Sequence, residues 1–187
     1  MELILASNNK NKLEEFKSIL EPQGFEIITP NDLGIHSDPE ETGSSYVENA
    51  GIKATAVWKK VHKPVIADDS GLEIEALGGK PGLFTSRFAE PGTHAEKILE
   101  MMKDQPNRNA RLICSLCYID EKGKSFTVRS SCIGTIPYTI RGNHPTYCYN
   151  ILMRGDKSLA ELSASERNKV THRARALNCF IDTLWLD

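Results

Sequence analysis

Glu2-Leu3-Ile4-Leu5-Ala6-Ser7-Asn8-Asn9-Lys10-Asn11-Lys12-Leu13-Glu14-Glu15-Phe16 opens on an apolar run, crosses a polar turn and enters a helical period that puts Leu13, Phe16, Ile19 and Leu20 on one face. That reads as strand, turn, helix. A second short strand is expected near Phe25–Thr29, then a turn-rich acidic stretch from Asn31 to Gly43 holding Asp32, Asp38, Glu40 and Glu41. From Ser44 or Ser45 as N-cap, Val47, Ala50, Ala54, Val57, Trp58 and Val61 recur at helical spacing and predict a second helix. Pro64-Val65-Ile66-Ala67 predicts a strand that stops on Asp68-Asp69-Ser70-Gly71. Farther on, a helix is expected from about His94 to Lys103 and a hairpin from Arg111–Asp120 and Ser125–Ile133. An irregular segment from Pro137 to Asn150 and a last helix from about Glu166 to Trp185 complete the chain. Helices alternating with strands, followed by a hairpin, give an α/β fold with a mixed central sheet. No linker, repeat or charge block divides it, so a single domain over residues 1–187, built of two lobes, is expected.

With 187 residues, 40% hydrophobic and 26% charged, the chain can bury one compact core, which excludes fibrous and low-complexity classes. Its 23 basic residues against 25 acidic ones leave a net charge of −2, so no whole-chain field draws it to nucleic acid or anionic lipid. No run approaches the ~20 apolar residues that span a bilayer. The five cysteines form an odd set, and no apolar signal segment follows Met1, so a cytoplasmic location is expected. Cys114 and Cys117 make a CxxC within a predicted strand, where positions three apart face opposite sides, and packed free thiols are expected there.

Three places can carry chemistry. The turn from Ser7 to Lys12, between a strand end and a helix start, offers backbone N–H groups, a positive helix end and two lysines to a phosphate, although it lacks the glycines of known phosphate loops. An Asn-rich turn with solvated lysines is the alternative. Asp68-Asp69-Ser70 is read as the carboxyl end of a buried strand, where α/β sheets place ligand sites, and adjacent strand residues point to opposite faces. With Glu40 and Glu41 nearby in the chain, convergent carboxylates suit Mg²⁺; a solvated acidic loop is the plainer reading. Thr171-His172-Arg173, with Arg167 upstream in the same predicted helix, can bind phosphate or base edges or face water. Lys53 stands off the apolar stripe of the second helix, within reach of the acidic site or of solvent.

At these residues the sequence resembles a known family. Leu5 to Phe16, Glu41-Thr42-Gly43, Glu48-Asn49-Ala50 with Lys53-Ala54, Ala67 to Leu72, Leu77-Gly78-Gly79 with Pro81-Gly82, Ser86-Arg87-Phe88 and Thr171-His172-Arg173 together resemble the Ham1/inosine triphosphatase family of non-standard purine nucleoside triphosphate pyrophosphatases. The resemblance runs in order from residue 3 to about 180. It implies two lobes flanking a nucleotide cleft, a homodimer, and Mg²⁺-dependent hydrolysis of dITP, ITP or XTP to the monophosphate and pyrophosphate. Carried over by position, Ser7, Asn8, Asn9, Lys10, Asn11 and Lys12 hold the triphosphate, Glu40 and Asp69 hold the metal, and Ser70 contacts substrate. Asp69 is the implied proton acceptor with Lys53 as its charged helper; because a metal-bound aspartate, with an unperturbed pKa of about 3.9, is a poor base at neutral pH, the alternative is that Asp69 positions metal-bound hydroxide and Asp68 or Glu41 assists. His172 and Arg173 fall at the base end of the nucleotide.

Two positions depart from the family pattern. Where the family carries Gly-Gly-Phe-Gly-Tyr-Asp-Pro before its last helices, this chain has Gly142-Asn143-His144-Pro145-Thr146-Tyr147-Cys148. His144 keeps a ring for stacking and Tyr147 offers one hydrogen bond, but the base-reading carboxylate is gone. The family's lysine five residues before the histidine is Arg167 here, which keeps the charge and changes its geometry. Pyrophosphohydrolysis is therefore expected with base choice relaxed or shifted toward other damaged or modified triphosphates; a nucleotide-binding protein of weak turnover is the reading from another class.

Overall fold

The structure is a computed structural model in which residues 1–185 are described. In chain order its elements are β1 (Glu2–Leu5), α1 (Lys10–Leu20), β2 (Glu26–Ile28), α2 (Tyr46–Val61), β3 (Val65–Ile74), α3 (His94–Met101), β4 (Asn109–Ile119), β5 (Ser125–Thr135), α4 (Tyr147–Asn150), β6 (Met153–Arg154), β7 (Lys157–Ser158), α5 (Ala164–Val170) and α6 (His172–Leu184), with short 3₁₀ turns between. The strands form one sheet in the order β2-β1-β3-β4-β5-β6-β7. β1 runs parallel to β2 and β3, whereas β6 is antiparallel to β5 and β7, so the sheet is mixed, as expected for an α/β fold.

The chain folds into two compact units: one takes Met1–Asp69, Cys114–Ser130 and the residues from Arg173 onward, the other Ser70–Ile113 and Ser131–His172. In the first unit the sheet buries both faces. Leu3, Leu5 and Ile66 join Phe16 and Leu20 of α1 and Ala176, Leu177 and Phe180 of α6 in one apolar cluster. Ile4, Val65 and Ala67 join Ala50, Ala54 and Val57 of α2 in another. Strand alternation makes this layering possible, because successive residues of β1 and β3 supply opposite faces. It also separates the CxxC cysteines, with Cys114 in the first cluster and Cys117 in the second. The second unit has its own core, in which Leu72, Ile98, Met102, Leu112, Tyr149 and Leu152 are buried. There β5 passes so close to β6 that a Cβ on Gly134 would stand 2.2 Å from the Met153 carbonyl oxygen, which explains a glycine inside a strand.

Two expectations need correction. β3 does not end at Ala67 but continues through Asp68-Asp69-Ser70-Gly71 to Ile74, so the two aspartates lie inside a strand. Polar residues read as a strand end because unpaired carboxylates do not survive burial, but these have cationic partners. The long terminal helix is two helices: Thr171 adopts an extended conformation (φ −69°, ψ 155°), and Arg167 therefore stands on α5, apart from the helix that begins at His172. The spacing of Val170, Ala174, Leu177 and Ile181 hides that break, and the capping box of Ser163 and Glu166, with each side chain bonded to the other's backbone N–H, marks the start of the shorter helix.

Candidate functional site

The parity of β3 decides the site. Ile66 faces α1 and α6, so Asp68, two residues on, takes the same face; Ala67 faces α2, and so does Asp69. On the first face Asp68 is 1% exposed, and its carboxylate accepts from Lys12 Nζ at 3.0 Å and from Arg173 Nε at 3.2 Å. Arg173 is itself buried and donates from Nη1 to Glu15 Oε2 at 2.5 Å. Burial alone pushes the Asp68 carboxyl up, but Lys12, Arg173 and Lys53 more than offset it and hold the group well below the usual carboxylate range.

On the other face Lys53 of α2 donates to Asp69 Oδ1 at 3.0 Å and to Glu41 Oε1 at 2.8 Å. Asn49, one helical turn earlier and 1% exposed, donates to Asp69 Oδ2 at 3.2 Å while its Oδ1 accepts the Gly43 N–H at 2.9 Å. Gly43 has no room for a side chain, since a Cβ there would stand 2.6 Å from Asn49 Oδ1. Burial raises the Asp69 carboxyl against the pull of Lys53, and Glu41 adds to the rise. Burial likewise works against the charge on Lys53, but Asp68 and Asp69 outweigh it and raise that ammonium.

On the α2 face Glu41 and Asp69 share Lys53, two carboxylates on one ammonium. Glu40 is exposed beside Glu41. No group of three or more His, Cys, Asp or Glu side chains with metal-holding geometry occurs among the described residues. An excess of negative charge with one or two available carboxylates fits Mg²⁺, which keeps waters and takes further ligands from substrate phosphates.

The Ser7–Lys12 turn is more self-contained than its sequence suggests. Asn9 Oδ1 caps α1 by accepting from the N–H groups of Asn11 (2.9 Å) and Lys12 (3.2 Å), and Ser7 Oγ accepts from Asn9 N–H at 3.2 Å. The expected free N–H groups of that first turn are thus partly occupied, and what the turn presents outward is the exposed side chains of Asn8, Lys10 and Asn11. Asn8 Oδ1 lies 3.5 Å from the Asn31 amide nitrogen.

In the second unit Tyr147 does not offer its proton to a ligand. Its hydroxyl donates to the Thr85 carbonyl at 2.8 Å, its ring stacks on His94 with centroids 4.8 Å apart, and burial together with Cys148 raises its pKa. His144 Nδ1 accepts the Thr146 N–H at 3.0 Å, and the His144 backbone is held at both its N–H and carbonyl by Asn150. His172 is buried, with its ring edge-on to Tyr149. Arg167 donates to the Leu162 carbonyl. Arg173 is buried and bonded to Asp68 and Glu15, and so is not the solvated group of the alternative reading. A pocket of about 480 Å³ in this unit is lined by Leu77, Pro81, Arg87 and Phe88, which belong to the motifs quoted for the family resemblance, and by Phe84, Ile98 and Met101 among others. Sequence reasoning gave no role to Asn49 and Glu15; a buried asparagine on the apolar stripe of a helix was the available signal for the first.

The sequence profile of the Ham1 family matches residues 3–183. The chain belongs to the Ham1 family. A dITP/XTP pyrophosphatase of Bacillus subtilis is 40% identical over 185 residues, covering 94% of this chain and 93% of that protein. Among solved Ham1 structures, that of a HAM1 protein from Coxiella burnetii superposes with a TM-score of 0.88 at 32% identity over 100% of both chains. The Staphylococcus aureus Ham1 protein gives 0.86 at 32% identity over 98% of both. Membership in the Ham1 family places the chain among hydrolases that act on acid anhydrides. No helix of the described residues is long and apolar enough to cross a membrane.

Proposed function

We propose that the whole chain acts as one Ham1-type pyrophosphatase that hydrolyses dITP, ITP and XTP to the monophosphate and pyrophosphate with Mg²⁺. The observation that carries this reading is the pair of β3 aspartates, each held by a lysine on its own face of the sheet. Lys10 and Lys12 lie at the start of α1, where the positive helix end adds to their charge, and suit the triphosphate with Ser7, Asn8, Asn9, Asn11 and Ser70. Glu40 and Asp69 would hold Mg²⁺, which supplies charge neutralisation on the phosphate oxygens. Water attacks the α-phosphorus, its proton passes to the Asp69 carboxylate, and the bond to pyrophosphate breaks. Lys53, which donates to Asp69 and Glu41, is the charged helper of that step. A reducing cytoplasm agrees with five free cysteines, and a homodimer agrees with the family resemblance.

The engaged Tyr147 hydroxyl favours a second reading at the base end, in which this member accepts a wider or shifted set of bases. Loss of a base-reading hydrogen bond costs orders of magnitude in discrimination. A panel of dITP, XTP, dUTP, dATP and dGTP, assayed for pyrophosphate against orthophosphate, tests both readings. Release of pyrophosphate from dITP and XTP is expected, and Asp69→Asn lowers it by at least about 10²-fold. A preference for dITP and XTP of several hundred-fold removes the relaxed-choice reading; orthophosphate as the product removes the pyrophosphatase itself.

A further inference from the structure

Ser115 stands inside β4, fully buried, and its hydroxyl is one of the few buried side-chain oxygens among the described residues without a hydrogen-bond partner. A buried hydroxyl with no partner is costly, and alanine or valine would occupy a strand position without that cost. Its neighbour across the sheet gives it a use. Glu73 accepts from Arg111, and Glu75 from Asn109 and Asn107, so β3 and β4 run antiparallel. Ala67 and Cys117 share one apolar cluster and Ile66 and Tyr118 the other, so the odd-numbered positions of both strands near the aspartates take the α2 face. Ser115 thus lies on the strand beside β3 and on the face that α2 covers, the face that Asp69 also takes.

Asp69 accepts from Lys53 and Asn49, and Lys53 is shared with Glu41. A carboxylate has room for about four such bonds, so acceptor capacity is left over. We propose that Ser115 is a positioning residue for Asp69: its hydroxyl donates to that carboxylate when Lys53 turns toward the substrate phosphates, and holds it in place while water attacks. The role rests on the pyrophosphatase reading above. A serine hydroxyl is a rotor that can turn its proton toward a neighbouring acceptor, whereas Asn49 is already tied to Gly43.

The test uses the full chain with Ser115→Ala and Ser115→Cys, which remove the hydroxyl with and without loss of volume, and Ser115→Thr, which keeps it. With dITP and pyrophosphate release as the assay, Ala and Cys are each expected to lower kcat about tenfold and leave KM within about twofold, while Thr stays close to the parent. Melting temperature is expected to stay level or rise in Ser115→Ala, since the hydroxyl removed has no partner in the resting protein. An unchanged kcat in Ala and Cys overturns the proposal, as does a loss of kcat that follows a loss of melting temperature. A parent chain that releases no pyrophosphate sinks the functional reading itself; an active parent with undiminished Ser115→Ala sinks this role alone.

Discussion

Asp68→Asn isolates the buried charge arrangement from catalysis. The substitution keeps the shape of the side chain and removes its charge, leaving Arg173, itself only 3% exposed, to rely on Glu15. Breaking a buried ion pair by removing one partner costs about 3–5 kcal/mol. The low end applies here, because Arg173 retains Glu15 and the Lys12 side chain is 20% exposed and regains water. About 3 kcal/mol in a chain of this size corresponds to a fall of about 6–12 °C in melting temperature. Circular dichroism melts of parent, Asp68→Asn, Arg173→Met and the double variant give the measurement. The double variant is expected to recover at least about 1 kcal/mol relative to the sum of the singles, since it removes both charges together. A melting temperature for Asp68→Asn within about 2 °C of the parent refutes the argument that this carboxylate is held by its cations.

Other expectations follow from the same geometry. Because the Asp68 carboxyl is depressed in the folded chain, its contribution is present above the free-aspartate value of about 4 and is lost as pH falls through the folded value, so parent stability should drop in that acid range more steeply than that of Asp68→Asn in urea titrations. Gly43→Ala should displace Asn49 and lower kcat about tenfold or more while the fold survives, as judged by an unchanged far-ultraviolet spectrum; wild-type kcat would show that Asn49 does not hold Asp69 in register. Four of the five cysteines are buried, and burial pushes the Cys114 thiol up to about 12, so a disulfide reagent at pH 8 should modify Cys179 quickly and no other thiol until the chain unfolds. Two fast thiols in the native chain would contradict that burial.

Those parts of the fold whose period is local were legible in the sequence. The strand, turn and helix of residues 2–20, the Ser45 cap with the apolar stripe of α2, and the β4–β5 hairpin all stand where the spacing puts them. The length of β3 was not legible, because the groups that make Asp68 and Asp69 tolerable inside a strand come from elsewhere: Lys12 lies 56 positions before Asp68 and Arg173 105 positions after it. The break at Thr171 was hidden for a different reason, since the apolar spacing of the two helices stays nearly in phase across it. At the site, residue types pointed to the lysines and carboxylates, whereas the engagement of Tyr147 with the Thr85 carbonyl depends on a contact 62 positions apart.

The interleaving of the first unit has a consequence for how the protein is made. Its core needs Ala176, Leu177 and Phe180, and its buried Asp68 needs Arg173, all from the last part of the chain. At roughly 5–20 residues per second, the 105 positions separating Asp68 from Arg173 take about 5–20 s to synthesise. Through that interval the emerging N-terminal segment carries an apolar strand and an aspartate whose guanidinium partner does not yet exist. It can settle only once α6 has emerged, so a truncation that removes α6 should leave residues 1–69 as an exposed, chaperone-bound segment and not as an independently stable unit.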